Sequence, residues 1–157
     1  MSADPIEIHL TDDPTLLATV ASWHWNEWGH HDPGGSLEAW EAGLHERTVL
    51  VGRLRGEPVG SAVLIEHDMA THPELRPWLG GLFVLPGFRR RGIASALCRA
   101  AVDVAATRGE VELYLHTNGA EPLYESLGWA AIGREFYEGE TVTVMRRDLT
   151  VGDGQGS

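Results

Sequence analysis

Leu82-Phe83-Val84-Leu85-Pro86-Gly87-Phe88-Arg89-Arg90-Arg91-Gly92-Ile93-Ala94-Ser95 sets three arginines between an apolar run and the opening of an apolar stripe at helical spacing. The run from Trp78 to Leu85 reads as a strand, and Pro86-Gly87 ends it. From Arg91 to Arg108, residues Ile93, Leu97, Ala100, Ala101, Val104 and Ala105 recur on one helical face, closed by Gly109. A helix N-terminus carries unpaired N–H groups and partial positive charge, which disfavours cations. Three arginines at such a place argue for a bound anion, because phosphate oxygens can approach the backbone at Gly92 and Ala94 while the guanidinium groups add charge.

Working outward, Gly80-Gly81 inside the strand signals a bulge or a close approach by a ligand. Downstream, Val111, Leu113 and Leu115 alternate as a strand, Ala120 to Leu127 suits a short helix stopped by Gly128, and 129–137 with 140–149 forms a hairpin around Glu138-Gly139. Upstream, Ile6, Ile8 and Leu10 alternate, and Thr11-Asp12-Asp13-Pro14 starts a helix that runs to about Trp28. Leu16, Leu17, Val20, Trp23 and His24 line that helix, 29–35 breaks it, and Ser36 with Glu38 opens a second one to about Arg47. Two β-rich runs, 48–55 and 58–67, meet at Gly56-Glu57 as a hairpin. The order β-α-α-β-β-β-α-β-α-β-β predicts an α/β (α+β) fold: a mixed, largely antiparallel sheet of about seven strands flanked by four helices. Residues 1–150 are expected to form a single domain and 151–157 a disordered tail.

Composition narrows the chemistry. The formal charge of -11 repels nucleic acid and favours cationic or amine-bearing partners. All 12 basic residues are arginine, so Schiff-base lysine chemistry and a lysine-bearing phosphate loop are excluded. Cys98 is the only cysteine, which excludes an internal disulfide and reads as a small apolar residue of its helix. The first residues contain an acid and a proline where a leader would carry a basic and then an apolar region, and no stretch has membrane-spanning length. A soluble, cytoplasmic protein without membrane attachment is the expectation.

Arg89-Arg90-Arg91-Gly92-Ile93-Ala94 resembles the acetyl-CoA signature of the GNAT superfamily of N-acetyltransferases, Arg/Gln-x-x-Gly-x-Gly/Ala, through Arg89, Gly92 and Ala94. Leu82 to Pro86 is similar to the family strand that pairs with the pantetheine arm, and Leu123-Tyr124-Glu125-Ser126-Leu127-Gly128-Trp129 to its Tyr-x-x-x-Gly-Phe segment. The resemblance spans about a third of the chain. It implies a splayed strand pair that admits acetyl-CoA, as co-substrate, in the manner of an added strand. Leu82, Phe83 and Val84 would line the arm, with the Val84 N–H polarising the thioester carbonyl. Arg89, Arg90, Arg91, Gly92, Ile93, Ala94 and Ser95 would hold the pyrophosphate. Tyr124 would protonate the departing thiolate, since a tyrosine of ordinary pKa, about 10, keeps its proton at neutral pH. Asn118 stands one place later than the family asparagine, which leaves both a CoA contact and a plain turn residue open.

The resemblance implies direct transfer of an acetyl group to a primary amine of a small molecule or peptide. A non-catalytic acyl-CoA sensor and a protein N-terminal or lysine acetyltransferase are the alternatives. For deprotonating the amine, Glu27 and Asp68 are the leading candidates, with Glu66 and His67 beside the latter. Trp23, Trp25 and Trp28, with His24, His30 and His31, form either an acceptor pocket or core. No metal is expected, because adjacent histidines lack the spacing of a helical metal motif. The final hairpin could pair across a homodimer.

Overall fold

The computed structural model describes residues 5–150. Seven strands form one sheet in the order β1-β2-β3-β4-β5-β7-β6: β1 Ile6–Thr11, β2 Thr48–Leu54, β3 Glu57–Ile65, β4 Trp78–Val84, β5 Glu112–Thr117, β6 Ala130–Tyr137 and β7 Glu140–Asp148. Four α-helices accompany them: α1 Pro14–Trp28, α2 Leu37–Leu44, α3 Ile93–Thr107 and α4 Glu121–Ser126. The mixed, mostly antiparallel architecture expected from the sequence is therefore present. The 151–157 tail lies outside the described residues. Two compact units appear, the described parts of Met1–Val63 with Gly81–Ala100, and of Leu64–Gly80 with Ala101–Ser157.

In the first unit, α1 begins where its caps dictate. The Asp13 carboxylate accepts the Thr15 N–H at 3.1 Å, and Pro14 occupies the opening turn, where its missing N–H costs nothing. Ser36 caps α2 in the same way through the Ala39 N–H at 3.1 Å. β1 and β2 pair antiparallel from Ile6 opposite Leu54 to Thr11 opposite Val49. Val49 to Gly52 on β2 and Val59 to Val63 on β3 are buried without alternation, as expected for strands covered on both faces. Leu17, Val20, Ala21, Val51, Val63 and Leu97 are sealed in this core.

α3 starts at Ile93, two residues later than its apolar periodicity suggests, because Arg90 and Gly92 hold left-handed backbone conformations that no helix accommodates. Its buried stripe also turns toward Cys98, Ala101 and Val102, leaving Ala100 and Val104 half-buried.

In the second unit, β5 and β7 pair antiparallel from Glu112 opposite Asp148 to Thr117 opposite Thr143. β6 joins β7 with a register shift between Ala131 and Gly133. β4 meets β5 in parallel at Trp78 opposite Tyr114. Trp78 is fully buried, and its indole N–H is satisfied by the Leu75 carbonyl at 2.8 Å. Val111, expected inside this strand, precedes it and is exposed, while Leu113, Tyr114 and Leu115 are buried in succession.

Candidate active site

β4 controls where its backbone points. The Leu85 N–H donates to the Val59 carbonyl on β3 at 2.9 Å, and a β-carbon added to Gly60 would lie 2.7 Å from the Phe83 oxygen. Phe83 and Leu85 thus direct their polar groups toward β3. By strand alternation, the N–H groups of Leu82 and Val84 point to the opposite edge of β4.

Past β4 the chain makes a 3-10 turn at Pro86–Phe88, closed by the Phe88 N–H on the Leu85 carbonyl at 2.9 Å. Arg89 folds back, donating from Nε to the Val84 carbonyl at 2.8 Å, with its guanidinium 5.7 Å above the centre of the Phe83 ring. The first arginine thereby braces the end of β4. Arg91 lies over the Phe88 ring at 5.5 Å. Left-handed backbone at Arg90 (φ 66°) and Gly92 (φ 81°) is the kind of irregularity that turns successive N–H groups into an anion-binding concavity. The Ala96 N–H takes the Gly92 carbonyl at 3.0 Å, so the N–H groups of Ile93, Ala94 and Ser95 precede the first helical bond. A β-carbon at Gly92 would meet nothing within 4 Å, leaving open space beside those donors. Backbone donors, open space and exposed Arg90 and Arg91 fit a pyrophosphate.

On the α1 side of this unit, buried His24 brings Nε2 within 2.8 Å of the Ser61 hydroxyl on β3, and that hydroxyl donates to the Gly81 carbonyl at 2.8 Å. Desolvation pushes the His24 pKa down to about 4, aided by the positive charge of Arg47, so the imidazole is neutral at pH 7. Gly81 has φ 57°, and a β-carbon there would come within 2.7 Å of the His24 ring and of a Val63 methyl. The close approach signalled by Gly80-Gly81 is thus met by protein. Trp23 stacks on Phe83 at 5.7 Å, and Trp28 packs edge-on to Phe83 at 6.1 Å and against His24 at 5.3 Å. Trp25 turns elsewhere, edge-on to Trp40, whose indole N–H is held by Asp32 at 2.8 Å. Glu27 is exposed in the last turn of α1.

The second unit holds the remaining candidates. Tyr124 is buried on α4 with its ring edge-on to Trp129 at 6.1 Å. Asn118 donates to the Thr141 carbonyl at 2.8 Å, tying the end of β5 to β7. Asp68 pairs with His116 at 3.3 Å, and a β-carbon on Gly80 would lie 3.8 Å from the same carboxylate oxygen. His116 packs edge-on to Tyr137 at 5.5 Å. Glu135 accepts from His72 at 2.5 Å and from Thr71 at 2.9 Å; the bond to His72 holds the carboxyl below its usual pKa and raises that of the imidazole. Glu66 is taken by Arg76, which holds its pKa down, and Arg76 also reaches Glu110 at 3.1 Å. His116 and Ser61 escaped the sequence reading, because their partners lie 48 and 20 to 37 positions away and nothing local marks either one.

The fold, a mixed seven-stranded sheet accompanied by helices, is shared with solved N-acetyltransferases. An aminoglycoside 6'-N-acetyltransferase complexed with coenzyme A superposes with a TM-score of 0.75 at 18% identity, covering 91% of this chain and 97% of that one. An N-acetyltransferase from Staphylococcus aureus Mu50 gives 0.74 at 13% identity, covering 92% and 99%. Among curated proteins, N-alpha-acetyltransferase 30 of Schizosaccharomyces pombe is 32% identical over 77 residues, which is 46% of this chain and 51% of the relative. The match thus spans about half the length of that relative. The chain belongs to the acetyltransferase (GNAT) family, whose sequence model matches residues 17–129. Among the described residues no helix is long and apolar enough to cross a membrane.

Proposed function

We propose that the chain transfers an acetyl group from acetyl-CoA directly to a primary amine of a small molecule or peptide. The observation that carries this reading is the turn after β4, where left-handed Arg90 and Gly92 precede the free N–H groups of the first turn of α3. The N–H groups of Ile93, Ala94 and Ser95 would hold the pyrophosphate, with Arg90 and Arg91 adding charge and Arg89 bracing the strand. The Leu82 to Val84 backbone would run beside the pantetheine arm in the manner of a paired strand. As the amine nitrogen attacks the thioester carbon, the Val84 N–H takes the developing oxyanion. The C–S bond then breaks, and Tyr124 gives its proton to the thiolate.

Asp68, paired with His116, is favoured over Glu27 to accept the amine proton, because a half-buried carboxylate beside Gly80 is held in place while Glu27 stands exposed. Asn118 is assigned to the strand junction through Thr141. The charge of -11 supports a cationic acceptor. A peptide N-terminus is the second reading, favoured by the similarity to an N-alpha-acetyltransferase. A homodimer would form over β6, the last strand of the sheet, where Ile132 and Phe136 are 50% and 75% exposed; sedimentation tests it. The function is tested by thiol release from acetyl-CoA across polyamines, aminoglycosides, amino acids and short peptides. Release with at least one amine is expected, and binding of acetyl-CoA without release from any of them contradicts catalysis.

A further inference from the structure

We infer that His24 and Ser61 are positioning residues for the transfer step, acting as a buried relay that fixes the Gly81–Leu82 peptide of β4 and so keeps the strand edge that presents the Val84 N–H to the reacting carbonyl; this rests on the proposed use of β4. Ser61 is fully buried and has one hydroxyl proton. The Gly81 carbonyl, at 2.8 Å, can only accept, so that proton goes to Gly81. His24 Nε2, also 2.8 Å from the hydroxyl, must then be the donor, which fixes the neutral imidazole in its Nε2–H form. The imidazole N–H therefore serves the Ser61 hydroxyl and also lies against the Gly81 carbonyl that this hydroxyl holds.

What this achieves follows from the planarity of the peptide bond. The Gly81 C=O and the Leu82 N–H belong to one trans unit and point in opposite directions. Anchoring the carbonyl on Ser61 therefore turns the Leu82 N–H away from β3, to the edge that also presents the Val84 N–H. A left-handed residue would otherwise leave this peptide plane free to rotate, since glycine populates many orientations. The His24 ring and Val63 close in on Gly81, so neither alanine nor a larger residue fits while the relay stands. Packing against Trp28 at 5.3 Å and Phe83 at 6.5 Å keeps the imidazole itself from rotating. Holding this edge of β4 keeps the Val84 N–H aligned before charge develops, and a prealigned dipole needs no reorganisation as it does.

The relay predicts a loss in turnover with cofactor affinity retained. Ser61→Ala should lower kcat about 10-fold, with the acetyl-CoA dissociation constant, measured by calorimetry, within about 2-fold of wild type. His24→Leu, which cannot donate, should fall by a similar factor. His24→Gln, whose side-chain amide can donate to Ser61, should recover kcat to within about 3-fold of wild type. A merely structural role would make Leu and Gln alike, or move affinity and kcat together, and either result overturns the relay. Unchanged kcat in Ser61→Ala overturns it as well. Wild-type protein that binds acetyl-CoA yet acetylates no amine refutes the underlying function, and the relay's role with it.

Discussion

The turn from Leu85 to Ser95 and the acid–imidazole patch of Asp68, His72, His116 and Glu135 are built on opposite plans. In the turn, contiguous residues offer backbone N–H groups, and the side chains mainly brace: Arg89 on the Val84 carbonyl, Arg91 on the Phe88 ring. In the patch, the backbone is incidental, and carboxylates meet imidazoles delivered by β5, β6 and the segment before β4. A backbone site suits a constant ligand such as pyrophosphate, because N–H geometry is fixed by φ and ψ and survives most side-chain changes. A side-chain site suits the part of a reaction that varies, the acceptor and its proton. Substitutions in the two regions should therefore separate cofactor affinity from turnover.

The most severe test of the backbone plan lies just before the turn. Gly81→Val imposes a left-handed conformation on a β-branched residue and drives it into His24 and Val63. A loss of about 4 kcal/mol in urea unfolding is expected. His24 provides the next largest effect, read against pH. Its folded pKa of about 4 lies below the unperturbed 6.5, so between those values the unfolded chain binds more protons and acidification removes stability. The contribution is complete above pH 6.5 and is lost as pH falls toward 4, amounting to about 3 kcal/mol. Denaturation at pH 7, 5.5 and 4.5 should show this slope in wild type and a flatter one in His24→Gln. Tyr124→Phe should then lower kcat about 100-fold while leaving acetyl-CoA affinity within about 2-fold. Asp68→Asn, within the patch, should lower kcat/KM for the amine about 10-fold with acetyl-CoA binding intact. Loss of cofactor affinity in Asp68→Asn would erase the division between the regions.

Legibility in the sequence followed the same division. Strands and helices were readable because alternation and the 3.6-residue stripe survive in local spacing, and Asp13, Pro14 and Ser36 cap where capping residues should. The turn was readable because Pro86-Gly87 ends the strand and Gly92 precedes the apolar stripe of α3, while the three arginines beside it raised the expectation of an anion. The helix boundary was misjudged by two residues, since periodicity cannot register the positive φ of Arg90 and Gly92. The relay and the patch were largely unreadable. Ser61 looks like any small strand residue, and His116 like any polar residue at a strand end, until folding brings Gly81 and Asp68 alongside. Trp23, Trp25 and Trp28 were read as one cluster, yet the helix turns Trp25 toward Trp40 while the other two meet Phe83.

The central claim is that the backbone after β4 holds acetyl-CoA, and Gly92→Glu addresses it most directly. Glutamate would strain a backbone at φ 81° and place a negative charge beside the N–H groups meant for phosphate. Calorimetric titration of acetyl-CoA into folded wild-type and Gly92→Glu protein should show affinity weakened about 100-fold, on the order of 3 kcal/mol. Equal affinity in the two folded proteins would contradict the account.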